Sequence, residues 1–188
     1  MQLNIYKVSH PIIQILSNLI NNENNKVQNT EFYHRYTGLL LIYETLRKYI
    51  KINVVYIKCI NSVENISAID YRQKYYILTS LSNTYQMVSD IKSILPHIEI
   101  IDISKGDIID IEKTNNQLKT KNHSINCFIL EKRLNNFQII NLIEYLEKDK
   151  GIPPDNIQII CLSSQNDILN KLGYHYPMLK VYTTQINR

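Results

Sequence analysis

The residues best placed to do chemistry lie in the segment Phe128-Ile129-Leu130-Glu131-Lys132-Arg133-Leu134-Asn135-Asn136-Phe137-Gln138. The apolar run Ile125 to Leu130 predicts a buried strand. After a short polar turn, Ile139, Leu142, Ile143 and Leu146 recur at the spacing of one helical face. Strand, turn, helix is where an α/β protein holds a phosphate, because free backbone N–H groups there meet the positive end of the helix dipole. Close approach of such a backbone to a ligand calls for glycine, and this turn has none. Lys132 and Arg133, at the helix entrance, could attract an anion with side-chain charge in place of backbone donors. The plainer account is two solvated side chains. The layout of a phosphate site is therefore present without its glycine chemistry, and the first question is whether the chain is an enzyme.

Other constellations carry less. Asp102, Asp107, Asp110 and Glu112 form an acidic patch, but the spacing fits no calcium loop, and a solvated charged loop is the simpler reading. His10, His34, His97, His123 and His175 never pair at ligand spacing, so no metal site is expected. Ser163 and Ser164 end an apolar run and could face a ligand cleft, although capping the next helix is the simpler role. Cys59, Cys127 and Cys161 lie far apart within apolar stretches, which excludes a C-x-x-C motif and predicts buried free thiols in a reducing compartment.

The elements that must position these residues follow from hydropathy and stop signals. Ser9-His10-Pro11 opens a helix whose buried face is predicted as Ile12, Ile15, Leu16 and Leu19. The polar run Asn21 to Asn25 closes it as a loop. A longer helix from Thr30 to Tyr49 is predicted to turn Phe32, Tyr36, Leu39, Leu40, Tyr43 and Leu46 inward. Residues 52–73 read as a hairpin or flap. From Tyr75 the pattern becomes regular: a strand over 75–81, a helix over 85–95 stopped by Pro96, and a strand over 98–103. A polar excursion over 104–124 precedes the strand and helix of the opening segment, which Gly151-Ile152-Pro153-Pro154 ends. A strand over 157–162, a short helix over 166–172 ended by Gly173, and a strand over 179–186 complete the series. Such alternation predicts an α/β fold with a parallel sheet flanked by helices. The expected organisation is one domain over 1–188, with N-terminal helices and a flap over 1–74 and an α/β core over 75–188.

Composition fits a globular domain: 188 residues, 44% hydrophobic and 20% charged. Only four glycines are present, few for an enzyme with ligand loops. Ile, Asn, Lys and Tyr are over-represented, all favoured by A/T-rich codons. That bias accounts for fourteen tyrosines beside no tryptophan without an aromatic binding platform. It also points to a plastid genome or an A/T-rich bacterium. A net charge of +4 with scattered lysines reads as a solvated surface and makes nucleic acid an unexpected partner. No apolar run approaches the roughly eighteen residues of a membrane span, and no secretory leader is apparent, so the expected setting is plastid stroma or otherwise cytoplasm.

Several motifs together resemble one family. His10-Pro11 resembles an early His-Pro of the uracil phosphoribosyltransferases. Gly38-Leu39-Leu40-Leu41-Ile42-Tyr43-Glu44 is similar to their helix motif, and Met87 and Pro96 fall at matching spacing. Tyr182-Thr183-Thr184-Gln185-Ile186-Asn187 is similar to their Tyr-Thr-x-x-Ile-Asp. The resemblance covers nearly the whole chain and implies a type I phosphoribosyltransferase-like sheet and a homodimer. It also shows what has changed. The family grips phosphoribosyl pyrophosphate with an acidic residue followed by a Thr-Gly-rich turn. Here Glu131 stands in for the acid, while Lys132, Arg133, Asn135, Asn136 and Phe137 occupy the turn. The earlier pyrophosphate turn, Leu-Arg-Ala-Gly-Leu-Gly in the family, aligns with Leu81-Ser82-Asn83-Thr84-Tyr85-Gln86, so Ser82 replaces its arginine. A Gly- and Pro-rich loop that holds uracil follows the Ile-Asp in the family, and this sequence stops at Arg188.

The resemblance thus implies a non-catalytic homologue, with no catalytic residue carried over and no cofactor, Mg²⁺ being required only if the chain is active. An active transferase with altered loops and a pyrimidine-related regulatory nucleotide or RNA binder are the alternatives.

Overall fold

The structure, a computed structural model, describes residues 3–21, 30–103 and 124–187. Six strands form one parallel sheet: β1 (Asn4–Lys7), β4 (Gln73–Thr79), β5 (Ile98–Asp102), β6 (Ser124–Leu134), β7 (Ile157–Gln165) and β8 (Lys180–Asn187), in the spatial order β1-β8-β7-β6-β4-β5. The order explains the apolar runs. The central strands β4, β6 and β7 are covered on both faces, so they read as continuous rather than alternating hydrophobic stretches.

Helices cover both faces. On one side lie α1 (Pro11–Asn21), α2 (Thr30–Leu46), α3 (Leu81–Val88) and the short α4 (Ile91–Ile94), with Ile13, Leu41, Ile42, Met87, Val88 and Ile91 packed on Tyr75, Ile77, Phe128, Leu130 and Ile160. On the other side α5 (Gln138–Lys148) and α6 (Asn166–His175) bury Ile139, Ile143, Leu146, Ile168 and Leu172 against Tyr76, Leu78, Ile129 and Ile159. Gly151, at φ 65°, ends α5: its N–H bonds the Glu147 carbonyl and that of Ile152 reaches back to the Leu146 carbonyl, both near 3 Å. An antiparallel hairpin, β2 (Ile52–Lys58) with β3 (Val63–Ile69), occupies the region read as a hairpin or flap.

Several expectations need correction. Ile12 and Ile15 are exposed on α1, which buries Ile13 and Ser17 instead. Phe32, Tyr36 and Tyr43 are exposed on α2; its inward face is His34, Thr37, Gly38, Leu41, Ile42 and Thr45. The reason is close approach. A Cβ on Gly38 would lie 2.4 Å from the Met87 Cβ, so the α2–α3 contact admits only small residues on that face. The helix expected over 85–95 is two helices, α3 beginning at Leu81 and α4 at Ile91. Helix α6 runs through Gly173, which packs on Leu3. Cys59 is exposed, unlike the buried Cys127 and Cys161. The acidic residues Asp107, Asp110 and Glu112 and most of the polar run Asn21 to Asn25 lie outside the described residues.

Candidate functional site

From β4 the chain moves outward to β5, and from β6 it moves the other way through β7 to β8. The carboxyl ends of the neighbouring strands β4 and β6 therefore frame a topological switch point, where open α/β sheets form a crevice. A cleft of about 840 Å³ opens there, walled by the first turns of α3 and α5 and floored by the end of β6.

The β4–α3 wall is fixed by hydroxyl groups rather than glycine. The Thr79 hydroxyl donates to the Leu130 carbonyl at 2.7 Å and lies 2.6 Å from that of Thr84, which donates to the Ser80 carbonyl at 2.8 Å. The Asn83 and Thr84 amides both bond the Ser80 carbonyl at 3.0 Å, and the Leu81 amide donates to Asp102 Oδ1 at 2.9 Å. Backbone donors that a phosphate turn would present to its ligand are thus satisfied internally. Ser82, exposed on the first turn of α3, points the shortest of side chains at the cleft, 2.9 Å from the Ser80 hydroxyl.

Glu131, Lys132 and Arg133 are not in a turn, as the apolar run suggested, but in β6, which stays in register with β7 to Leu134 opposite Ser164. The turn itself is Asn135-Asn136-Phe137. Asn136 Oδ1 accepts from the Gln138 amide at 2.9 Å, and Phe137 adopts a right-handed helical conformation that needs no glycine. Its ring lies under Lys171 Nζ of α6, 3.7 Å from the centroid. Glu131, Lys132, Arg133, Asn135, Asn136 and Ser82 all line the cleft, so six positions separated by more than fifty residues of chain are brought to one place. Asn83, Gln86, Gln138 and Asn141 line it too and were not picked out from the sequence. Helical spacing could have found them: Ser82 and Gln86 lie four apart on α3, and Gln138 and Asn141 three apart on α5.

The charge pattern is uneven. Burial pushes the Glu131 carboxyl up to about 7. Burial, then the nearby guanidinium of Arg133, lowers Lys132. His34, from the inner face of α2, is held down to about 4 by burial and then by the charges of Lys132 and Arg133. Its Nδ1 and the hydroxyl of Thr37, one turn on, are buried without a hydrogen-bond partner. Ser163 and Ser164 are buried inside β7 rather than capping α6; the Ser164 hydroxyl is 3.4 Å from the Gln185 carbonyl, and the α6 N-cap is Gln165. Among the described residues no group of His, Cys, Asp and Glu could hold a metal ion, and no helix is long and apolar enough to cross a membrane.

Fold and cleft define a parallel-sheet α/β domain with a ligand crevice at its switch point. The uracil phosphoribosyltransferase family model matches residues 7–188, and the chain belongs to that family. Two curated relatives are each called a uracil phosphoribosyltransferase homolog. That from Pyropia yezoensis is 29% identical and that from Porphyra purpurea 30% identical, each over 100% of this chain and 90% of the relative. The AQ2163 protein from Aquifex aeolicus shares the fold with a TM-score of 0.70 at 10% identity, covering 97% of this chain and 87% of that one.

Proposed function

We propose that this chain is a non-catalytic member of the family, a binding module that holds an anionic ligand at Lys132 and Arg133 and does not transfer a phosphoribosyl group. The observation that carries the reading is the β4–α3 turn. Transfer at an anomeric carbon requires the departing pyrophosphate to be held by preorganised donors as charge moves onto it. Here the Asn83 and Thr84 amides are spent on the Ser80 carbonyl, and Ser82 supplies no cation. Removing a single oxyanion-type donor costs roughly 10²–10³ in rate, and losses that act together leave little catalysis. What the cleft keeps is two adjacent cations and a rim of carboxamides, which suit capture of an anion.

The reading includes a homodimer. Ile12, Ile15, Phe32, Tyr36 and Tyr43 expose an apolar, aromatic surface on α1 and α2, and the β2–β3 hairpin exposes Ile52, Val54, Tyr56 and Val63. An isolated two-stranded hairpin is marginal in water, so a second copy of the chain would give it a packing surface. The A/T-favoured composition and the red algal relatives support a plastid setting.

The test is direct. Radiolabelled uracil should stay unconverted when incubated with purified protein, Mg²⁺ and excess phosphoribosyl pyrophosphate. Sedimentation at micromolar concentration should give twice the 22.2 kDa chain mass. Steady UMP formation at about one turnover per second would establish an active transferase and overturn the reading.

A further inference from the structure

The cleft contains a carboxyl group that nothing above employs. Glu131 is half-buried at the end of β6, and although two cations follow it directly, it makes neither a hydrogen bond nor an ion pair among the described residues. Alternation along the strand accounts for this. Ile129 belongs to the cluster under α5 and α6 and Leu130 to the cluster under α2, so Lys132 leaves on the opposite side from Glu131. Both side chains nevertheless line the same cleft.

We propose that anion capture at this cleft is proton-linked: Glu131 takes up one proton from solvent as an anion settles on Lys132 and Arg133, and releases it when the anion leaves. The inference rests on the anion-binding reading above. An ionised Glu131 would repel an anion held within the same cleft, whereas the neutral acid does not and can donate a hydrogen bond to it. Burial has already brought the carboxyl to about 7, so the exchange falls in the neutral range.

The groups that face it do not compete for this role. On β6 itself are Lys132 and Arg133. Neighbouring β7 brings Cys161, which burial pushes up to about 12. The wall of α3 contributes the Tyr85 phenol, and that of α5 the amides of Gln138 and Asn141, which do not titrate. From α2, His34 answers to Lys132 and Arg133 but stays neutral near pH 7.

An anion several ångströms from the carboxyl should raise it by about one further pH unit. Affinity should then fall roughly sevenfold between pH 6 and pH 8.5, and about half a proton should be taken up per anion bound at pH 7.5.

Inorganic sulfate is the probe, since its own protonation does not change over this range. The full chain is titrated with sulfate in a pH-stat, chloride holding the ionic strength constant. In parallel, the Glu131 carboxyl carbon of the wild-type chain is followed by NMR. Saturable binding with proton uptake, a Glu131 resonance moving toward the protonated acid, and loss of both the uptake and the pH slope in a folded Glu131→Gln variant are the expected results. His34→Gln should keep the uptake at pH 7.5. Binding that is abolished by Lys132→Ala with Arg133→Ala, yet exchanges no proton, overturns the linkage and leaves the anion site standing. Uptake that survives in Glu131→Gln does the same. No saturable binding at pH 6 overturns the anion site and the linkage with it.

Discussion

Replacing Gly38 by alanine tests whether the α2–α3 contact sets the shape of the cleft. By intrinsic propensity alone the change should help, since alanine is favoured over glycine inside a helix by about 1 kcal/mol. The structure predicts the opposite. The new Cβ would meet Met87 at three atoms, 2.4 Å from its Cβ, 2.5 Å from its Cα and 2.7 Å from its carbonyl oxygen. Two of these are backbone, so no rotamer change relieves the overlap. Carbon atoms pack at about 3.5–4.0 Å, and the helices must separate by roughly 1 Å or more. Separation strips contacts from Leu41, Ile42, Met87 and Val88, all buried in one cluster. Overpacking costs about 1–3 kcal/mol, and opening the interface adds to it, so a net loss of about 2–4 kcal/mol remains after the propensity gain. For a chain of this length that is a fall in Tm of roughly 5–15 °C. Urea denaturation of wild type and Gly38→Ala measures it. An unchanged or raised midpoint at constant slope would refute the close-approach argument. Helix α3 also carries Ser82, Asn83 and Gln86, so the same variant should weaken sulfate binding while leaving Lys132 and Arg133 in place.

Three further outcomes are expected. His34 titrates lower in the folded chain than its ordinary 6.5, so the unfolded chain binds more protons below that value; stability should fall by up to about 3 kcal/mol as pH drops from 6.5 to 4, and His34→Gln should remove that slope in pH-dependent urea melts. Glu131 has the reverse sign: its folded value is raised, so its contribution is intact below pH 4.5 and lost as pH rises through 7. Glu131→Gln should be more stable than wild type at pH 8 by up to about 3 kcal/mol and lose that advantage near pH 4 in the same melts. Thr79→Val leaves the Leu130 carbonyl without its hydroxyl donor and should cost about 1–2 kcal/mol by thermal denaturation; a neutral result would mean that the hydroxyl chain does not hold the β4–α3 turn.

The sheet was legible because its central strands are covered twice and therefore carry unbroken apolar runs. Less legible was where those strands end. Polar Glu131, Lys132 and Arg133 remain in register with β7 because backbone pairing, not side-chain hydropathy, holds that stretch. Strand β1 escaped notice for a related reason: four residues at a sheet edge, all exposed, leave no pattern. The faces of α1 and α2 misled because amphipathic periodicity assumes that large apolar residues turn inward. On α2 the tight fit to Met87 reserves the inner face for Thr37, Gly38 and Leu41, and the aromatic rings go outward. The cleft was half legible. Its β6 residues stood out as a phosphate turn without glycine, whereas its carboxamide rim is assembled from two helices whose meeting no local pattern announces. His34 gave no signal of its own, since only the packing of α2 across the sheet brings it under the influence of Lys132 and Arg133.

The pairing of β1 with β8 has a consequence for the birth of the molecule. Asn4 lies beside Lys180 and Lys7 beside Thr183, and the Ser17 hydroxyl meets that of Thr184 at 2.9 Å. The first strand to leave a ribosome has its only sheet neighbour among the last residues made. At about 5–20 residues per second, roughly 10–40 s pass before that neighbour exists. Throughout that interval the exposed apolar residues of α1 and α2 wait on an unfinished chain, with contacts of such long sequence separation still unmade. Synthesis of this protein therefore contains a built-in delay between its first turn of helix and its closed sheet, and a chaperone that shields the first fifty residues should raise its soluble yield more than one acting on the finished chain.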